Sequence, residues 1–156
     1  MNEKLTSLIK RLVAQKIPHR VVDLGGEAVR TRDVLDRVDV DADAIVKTIM
    51  FKGKKSGVFS VSVFGTDRVS YPKLRAVLND KISTLRPQEM RELGWEPGEC
   101  CPLSVPGPLF IDPTVFEKEI INTGSGDLRY GLEFPSKAIT QMRGDVTVVD
   151  VHSKEP

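Results

Sequence analysis

The first apolar positions of the chain, Leu5, Leu8, Ile9, Leu12 and Val13, recur at three- and four-residue spacing and predict an amphipathic helix. Pro18 closes the segment, because the residue before a proline avoids helical backbone. Residues 19–24 then read as a strand that Gly25 and Gly26 end. A short helix is expected from Thr31, a residue suited to the N-cap, with Val34, Leu35 and Val38 on one face. The pattern changes at Ile45. Residues 45–51 and 57–64 are both strand-like, the second with clear alternation, and a polar, glycine-containing turn at 52–57 lies between them. Together they predict a β-hairpin.

Beyond the hairpin, Ser70 can cap a helix containing Leu74, Val77 and Leu78. Thr84 can cap another, with Pro87 in its first turn and Met90 and Leu93 facing inward. Glycine and proline then crowd residues 94–108, a long loop of a kind that is uncommon in a compact domain unless it has a function. Residues 109–111 form a short strand, and 115–120 fit either element. Residues 122–127 suggest a turn or an anion-binding nest, 128–134 a strand, 135–142 a helix and 145–151 a final strand. Residues 152–156 read as a polar tail. Strands and short helices alternate irregularly, which predicts one domain over 1–156, of α/β (α+β) class with a mixed sheet.

Composition agrees with that picture. The chain has 156 residues, 40% apolar and 29% charged, enough to bury a core without a disulfide or metal staple. Its 23 basic and 22 acidic residues leave a formal charge of +1, so any nucleic-acid contact must be local rather than a broad basic face. No apolar run reaches the length of a membrane span, and the first residues lack the apolar centre of a signal peptide. A cytoplasmic protein without a membrane partner is expected.

The same inventory excludes several chemistries. The two cysteines, Cys100 and Cys101, are adjacent, and no CxxC spacing suggests zinc. The only histidines are His19 and His152, which leaves little material for a metal site or a Ser-His-Asp triad. Neither a metal nor a cofactor is expected. Neither cysteine has an evident histidine base, so each reads as a buried thiol or as an unaided nucleophile. Trp95 either anchors its loop or stacks on a base.

Three features can carry chemistry. Lys47 sits inside an apolar strand, on the face of Ile45, Ile49 and Phe51, opposite Val46, Thr48 and Met50. Its ammonium either snorkels to solvent or points into a pocket, where it would bind phosphate or carboxylate. The loop Gly94-Trp-Glu-Pro-Gly-Glu-Cys-Cys-Pro102 either turns corners or presents backbone N–H groups to an oxyanion. Gly124-Ser125-Gly126 is a plain turn or a phosphate cradle, without the spacing of a nucleotide-binding motif.

In order along the chain, these segments resemble a known family. The valine-lysine-threonine strand at Val46, Lys47 and Thr48, the glycine-x-x-x-proline loop from Gly98 to Pro102 and the late turn from Gly124 to Gly126 are similar to those of the YbaK family. Its members are aminoacyl-tRNA deacylases, similar to the editing domain inserted in bacterial prolyl-tRNA synthetases. The resemblance covers roughly residues 20–150. It implies a mixed, partly closed β-sheet flanked by short helices. It also implies hydrolysis of the ester, a carboxylic ester, that joins a wrong amino acid to the 3′ end of a tRNA.

By that resemblance Lys47 is the catalytic residue. Thr48, Gly98, Glu99, Cys100, Cys101 and Pro102 surround the aminoacyl end, with Gly124, Ser125 and Gly126 lining the same pocket. His19 stands where members often carry a tyrosine, and the histidine that many place after the first strand is absent from the stretch at residues 24–27. These departures border the pocket and bear on amino-acid specificity.

The implied substrate carries a small residue: alanine, proline, cysteine, serine or threonine. Lys52, Lys54 and Lys55 on the hairpin, with Lys10, Arg11 and Lys16 on the first helix, are expected to meet the acceptor stem. Either that stem suffices for recognition or a synthetase partner delivers the tRNA. Two other readings stay open: a non-catalytic module that binds charged tRNA or an amino acid, and an esterase of unrelated small molecules, which no nucleophile elbow supports.

Overall fold

The computed structural model describes residues 1–154. Its centre is the expected hairpin, β2 (Val46–Gly53) and β3 (Gly57–Phe64), paired antiparallel from Val46↔Phe64 to Gly53↔Gly57. The hairpin belongs to a five-stranded sheet of order β5-β2-β3-β6-β9, with β5 (Ile82–Thr84) antiparallel to β2, and β6 (Leu109–Ile111) and β9 (Val146–Val148) parallel beyond β3. A second sheet of three antiparallel strands has the order β1-β8-β7: β1 (Arg20–Asp23), β8 (Tyr130–Pro135) and β7 (Ile120–Gly124). A parallel bridge between Ile45 and Asn122 joins the two sheets where β2 begins. This is the mixed α/β arrangement expected, with its seam at Lys47.

Both faces of the hairpin are covered. Val46 and Met50 pack with Leu8, Leu12, Cys101, Leu109 and Phe134 in one cluster. Phe51, Phe59, Val61, Val63 and Leu74 form the other, where the Phe51 and Phe59 rings stack at 5.6 Å. The alternation in β3 therefore does not separate a dry face from a wet one: Ser60 and Ser62 are both fully buried. Ser62 Oγ lies 2.7 Å from Thr48 Oγ1, which satisfies that hydroxyl across the strands.

The helices sit around this frame. α1 (Glu3–Ala14) buries Leu5, Leu8 and Leu12, each worth about 1.5–3 kcal/mol of apolar transfer, while Val13 faces solvent. It ends at Gln15, followed by left-handed Lys16, before Pro18 is reached. α2 (Thr31–Arg37) takes Arg30, not Thr31, as N-cap, because the Asp33 carboxylate accepts the Val29 and Arg30 N–H groups; Leu35 is exposed. Ser70 caps α3 (Tyr71–Leu78) as expected, its hydroxyl accepting from Lys73 N at 3.3 Å. Thr84 does not cap α4 (Pro87–Glu92). It ends β5, and Glu89 accepts the N–H of the N-cap, Arg86. Leu93, just past α4, points outward. α5 (Ala138–Met142) closes the set.

Three boundaries move. Residues 122–124 complete β7, so only 125–129 form the turn. The ambiguous stretch resolves into a 3-10 turn at Pro113–Glu117 followed by β7. The last strand, expected over 145–151, shortens to β9, and a further strand, β10 (His152–Lys154), pairs with β4 (Asp67–Val69). The expected polar tail thus begins with a strand, because Asp112, buried in the core, takes the Val151 and His152 N–H groups and lies 2.7 Å from the His152 ring. Residues 155 and 156 of that tail lie outside the described residues.

Candidate functional site

A cavity of about 370 Å³ opens at the seam between the sheets. Its inner wall is the start of β2 (Ile45, Val46, Lys47 and Thr48), the end of β7 (Asn122, Thr123 and Gly124) and the loop residues Gly98 and Cys100. Its outer wall is the segment leading into α2, with Ala28, Val29, Arg30 and Val34. Val22, Leu24, Leu128 and Tyr130 complete a mostly apolar lining. Such concave apolar surfaces with a few convergent polar groups are the usual form of a ligand site.

Lys47 lines this cavity, two residues beyond the Ile45 bridge that joins the sheets. Its ammonium donates to the Gly65 carbonyl at a long 3.4 Å. Thr48 lines the cavity too, its hydroxyl engaged with Ser62. Gly98 adopts φ +90°, and a Cβ there would fall 2.5 Å from the Val29 carbonyl oxygen, so only glycine lets the loop touch the outer wall. Gly124 is packed as tightly on the Cys100 carbonyl.

Of the expected residues, Lys47, Thr48, Gly98, Cys100 and Gly124 therefore meet in one place. The others do not line it. Glu99 is buried beneath the loop, where its carboxylate takes the Lys4 ammonium at 2.9 Å and the Glu96 N–H. Cys101 faces the core beside Thr123. Pro102 gives its carbonyl to Arg143 at 3.0 Å. The Ser125 hydroxyl is consumed within its own turn by the carbonyls of Asp127 and Tyr130. Gly126 donates its N–H to Glu99 O. His19 lies at the far end of β1, Nδ1 against the Ile17 carbonyl at 2.9 Å.

The hairpin lysines stand apart from the cavity. Lys52 is five residues along β2 from Lys47, roughly 17 Å at the usual strand rise, and pairs with Glu89. Lys54 and Lys55 are exposed at the turn, as Lys10, Arg11 and Lys16 are around α1.

Sequence reading missed the outer wall, Thr123 and Asp127. The last is a buried carboxylate at the cavity's edge, held near a pKa of about 2 by hydrogen bonds from Arg129 and from the Asn2 N–H. The spacing from Asp127 to Arg129 is the one local signal that could have marked it.

These placements limit the chemistry. Burial pushes the Cys100 thiol up to about 12, with the neighbouring Glu99 charge adding to the effect, so it carries little thiolate at neutral pH. Asp127 is too weak a base to take a proton from water. Neither histidine lines the cavity. Among the described residues one cluster has ligand-type atoms within 4.8 Å of one another, Asp112, Asp150 and His152, and none of these lines the cavity. Both Asp112 oxygens are already engaged, one by Thr114 and the other by residues 151 and 152. No helix among the described residues is long and apolar enough to cross a membrane.

Residues 26–140 match the family model of the aminoacyl-tRNA editing domain. The chain belongs to that family. No curated protein sequence matches this editing domain significantly. Solved structures share its fold. A hypothetical protein superposes with a TM-score of 0.84 at 21% identity, covering 94% of this chain and 99% of its own. A candidate trans-editing enzyme for prolyl tRNA synthetase gives 0.81 at 22%, covering 100% and 99%. A candidate signal transduction protein from Marinobacter aquaeolei VT8 gives 0.71 at 14%, with 95% of this chain matched to 31% of that one. The matched segment contains Lys47, Gly98, Cys100 and Gly124, and so the whole inner wall of the cavity.

Proposed function

We propose that this editing domain is a trans-acting deacylase that hydrolyses the ester between a small amino acid and the 3′ end of a mischarged tRNA. The observation that carries the reading is the convergence of Lys47 with the backbone of Gly98, Cys100 and Gly124 on one cavity in a member of this family. The likeness in fold to a candidate trans-editing enzyme supports action in trans. A cytoplasmic location follows, since charged tRNA is the substrate.

The ester is already activated, so the site needs no protein nucleophile. Water attacks the carbonyl carbon, the oxyanion forms, and the carbon–oxygen bond to the tRNA breaks to release the amino acid and a free 3′-hydroxyl. Lys47 supplies the cation that holds the terminal phosphate or polarises the groups around the ester. Backbone N–H groups of the Gly98–Cys100 segment face the developing oxyanion. Glu99 N is not among them, because it already donates to Glu96 O. With Cys100 protonated and Asp127 a weak base, the proton of the attacking water passes to the departing 3′-oxygen through the substrate's own α-amino group or 2′-hydroxyl.

Selectivity is by exclusion. The rigid apolar walls at Val22, Leu24, Ile45 and Val46 leave room for a small side chain next to the terminal adenosine. One methylene more or less is worth only about 1–3 kcal/mol, so size rejection is stronger against large side chains than between small ones. The test is a panel of tRNAs charged with alanine, serine, cysteine, threonine or proline, given to the wild type and to Lys47→Ala, with circular dichroism as the folding control. Hydrolysis of one or two esters that disappears in the folded variant supports the reading. Absence of hydrolysis in the wild type, with binding of charged tRNA retained, would turn it into a binding module.

A further inference from the structure

The residues that form the head of α1 lie outside the family match, which begins at residue 26, yet they hold both loops of the inner wall. Lys4 is tied three ways to the loop around Gly98. Its ammonium donates to Gly94 O at 2.8 Å, pairs with the buried Glu99 carboxylate at 2.9 Å and lies 5.2 Å from the centre of the Trp95 ring. Asn2 is tied to the late turn. Its N–H donates to Asp127 Oδ2 at 2.8 Å and its side-chain amide donates to Gly126 O, while its side-chain oxygen caps α1 through Leu5 N. The two loops are also joined to each other, by Gly126 N to Glu99 O at 2.8 Å and by the contact of Gly124 with the Cys100 carbonyl. The other end of α1 is anchored in the core by Leu8 and Leu12. The helix is therefore a rigid mount, and Asn2 and Lys4 are the points at which it grips the cavity.

We propose that Lys4 and Asn2 are positioning residues that hold Gly98, Cys100 and Gly124 at the spacing the reaction requires. The inference rests on the deacylase reading for its kinetic consequence, but not for its structural one. Neither residue lines the cavity, so neither touches the substrate there. Their action is exerted through Glu99 and Asp127. Removing Lys4 leaves a buried carboxylate with one backbone partner, Glu96 N, and such an uncompensated charge pulls its loop toward water. A displacement of about 1 Å in a group aimed at a reacting centre costs on the order of a hundredfold in rate.

The chain has one tryptophan, Trp95, which is buried at this grip, so its fluorescence reports the clamp without any assay of activity. The experiment compares wild type, Lys4→Met, Lys4→Arg and Asn2→Ala by acrylamide quenching of Trp95, by iodoacetamide labelling of Cys100, and by single-turnover deacylation over a range of charged-tRNA concentrations. In Lys4→Met the expected result is at least a twofold rise in quenching, faster labelling and a tenfold or greater fall in the maximal rate. The half-saturating tRNA concentration should stay within twofold, and Lys4→Arg should restore all three. Asn2→Ala, which keeps the Lys4 contacts, should lower the rate with little change in quenching, and it serves as the second probe if Lys4→Met does not fold.

A folded Lys4→Met with wild-type quenching and rate would overturn the proposal. So would raised quenching with an unchanged rate, since the grip would then be structural only. If the wild type hydrolyses no ester in the panel, the deacylase reading fails by itself. The grip of Lys4 on the loop is then judged by quenching and labelling of Lys4→Met, where a rise supports it and no change overturns it.

Discussion

The two walls of the cavity are built differently. The inner wall joins β2 and β7, locked into two sheets, to the loop residues Gly98 and Cys100, with Ile45, Val46, Cys100 and Thr123 buried. The outer wall, from residue 28 through α2, rests on a helix that buries no residue. It is held by the Asp33 carboxylate at its own N-terminus, by Arg37 reaching Glu27 O and by the close approach of Val29 to Gly98. The residues proposed to carry the chemistry all lie on the rigid side. Groups that must meet a transition state need fixed positions, and groups that admit a substrate need a low cost of opening.

The largest effect that can break this comparison is at Lys47. Lys47→Ala should lower the deacylation rate by about two to three orders of magnitude, the size expected for loss of a directed charge or donor, while the melting temperature stays near the wild-type value. A folded variant with normal turnover would remove the inner wall's claim to the chemistry.

Next come the two glycines. In Gly124→Ala the new methyl meets the Cys100 carbonyl inside two packed elements, and thermal melting should show a loss of roughly 1–3 kcal/mol. Gly98→Ala combines a left-handed φ with a clash against Val29, and its strain can relax by moving the outer wall. It should therefore lose less stability than Gly124→Ala and about as much activity. Equal melting temperatures in the two variants would mean that the walls are equally rigid.

Acid should loosen the inner wall in a defined window. Asp127 titrates near 2 in the folded chain because Arg129 and two N–H groups favour its charged form. Asp112 titrates near 2 because, against the effect of burial, Thr114, the Val151 N–H and the His152 ring donate to it. A depressed folded pKa contributes stability that is complete above the ordinary carboxylate value and is lost as pH falls from about 4 to about 2. Melting temperature measured from pH 6 to pH 2 should fall over that range, and Asp127→Asn should flatten part of the slope. The smallest effect is expected on the outside of α2, where Leu35→Ser should change stability by no more than about 0.5 kcal/mol.

Much of the fold was legible in the chain. The hairpin, α1, the Ser70 cap and β6 follow from local periodicity and from single side chains that bond their own backbone. The places that misled are those where a charged side chain elsewhere takes the backbone amide. Thr31 and Thr84 are good caps by type, but Asp33 and Glu89 accept the N-cap amides one or two residues away. His152 looked like tail until the Asp112 carboxylate, forty residues earlier, took its N–H. In the site, the residues alone left Lys47, Gly98 and Gly124 open between a structural and a functional part, and it was the order of their motifs, similar to that of the editing family, that singled them out. Glu99, Cys101, Pro102, Ser125 and Gly126 sit beside them in sequence yet bond to the loop, the core and α1 instead of the cavity.

The sequence by itself determined the central hairpin and the main helices, that a lysine sits among apolar residues near the start of that hairpin, and that its motifs fall in the order of the editing family. Those are properties of neighbouring residues and of residue type. The tertiary structure alone decided where the cavity opens, which of two adjacent cysteines faces it, and that Lys4 and Asn2 reach loops about ninety and a hundred and twenty-five residues away. The reason is that a side chain's direction is set by the sheet pairing and by the charges buried beside it, and neither is encoded within a few residues of the side chain itself.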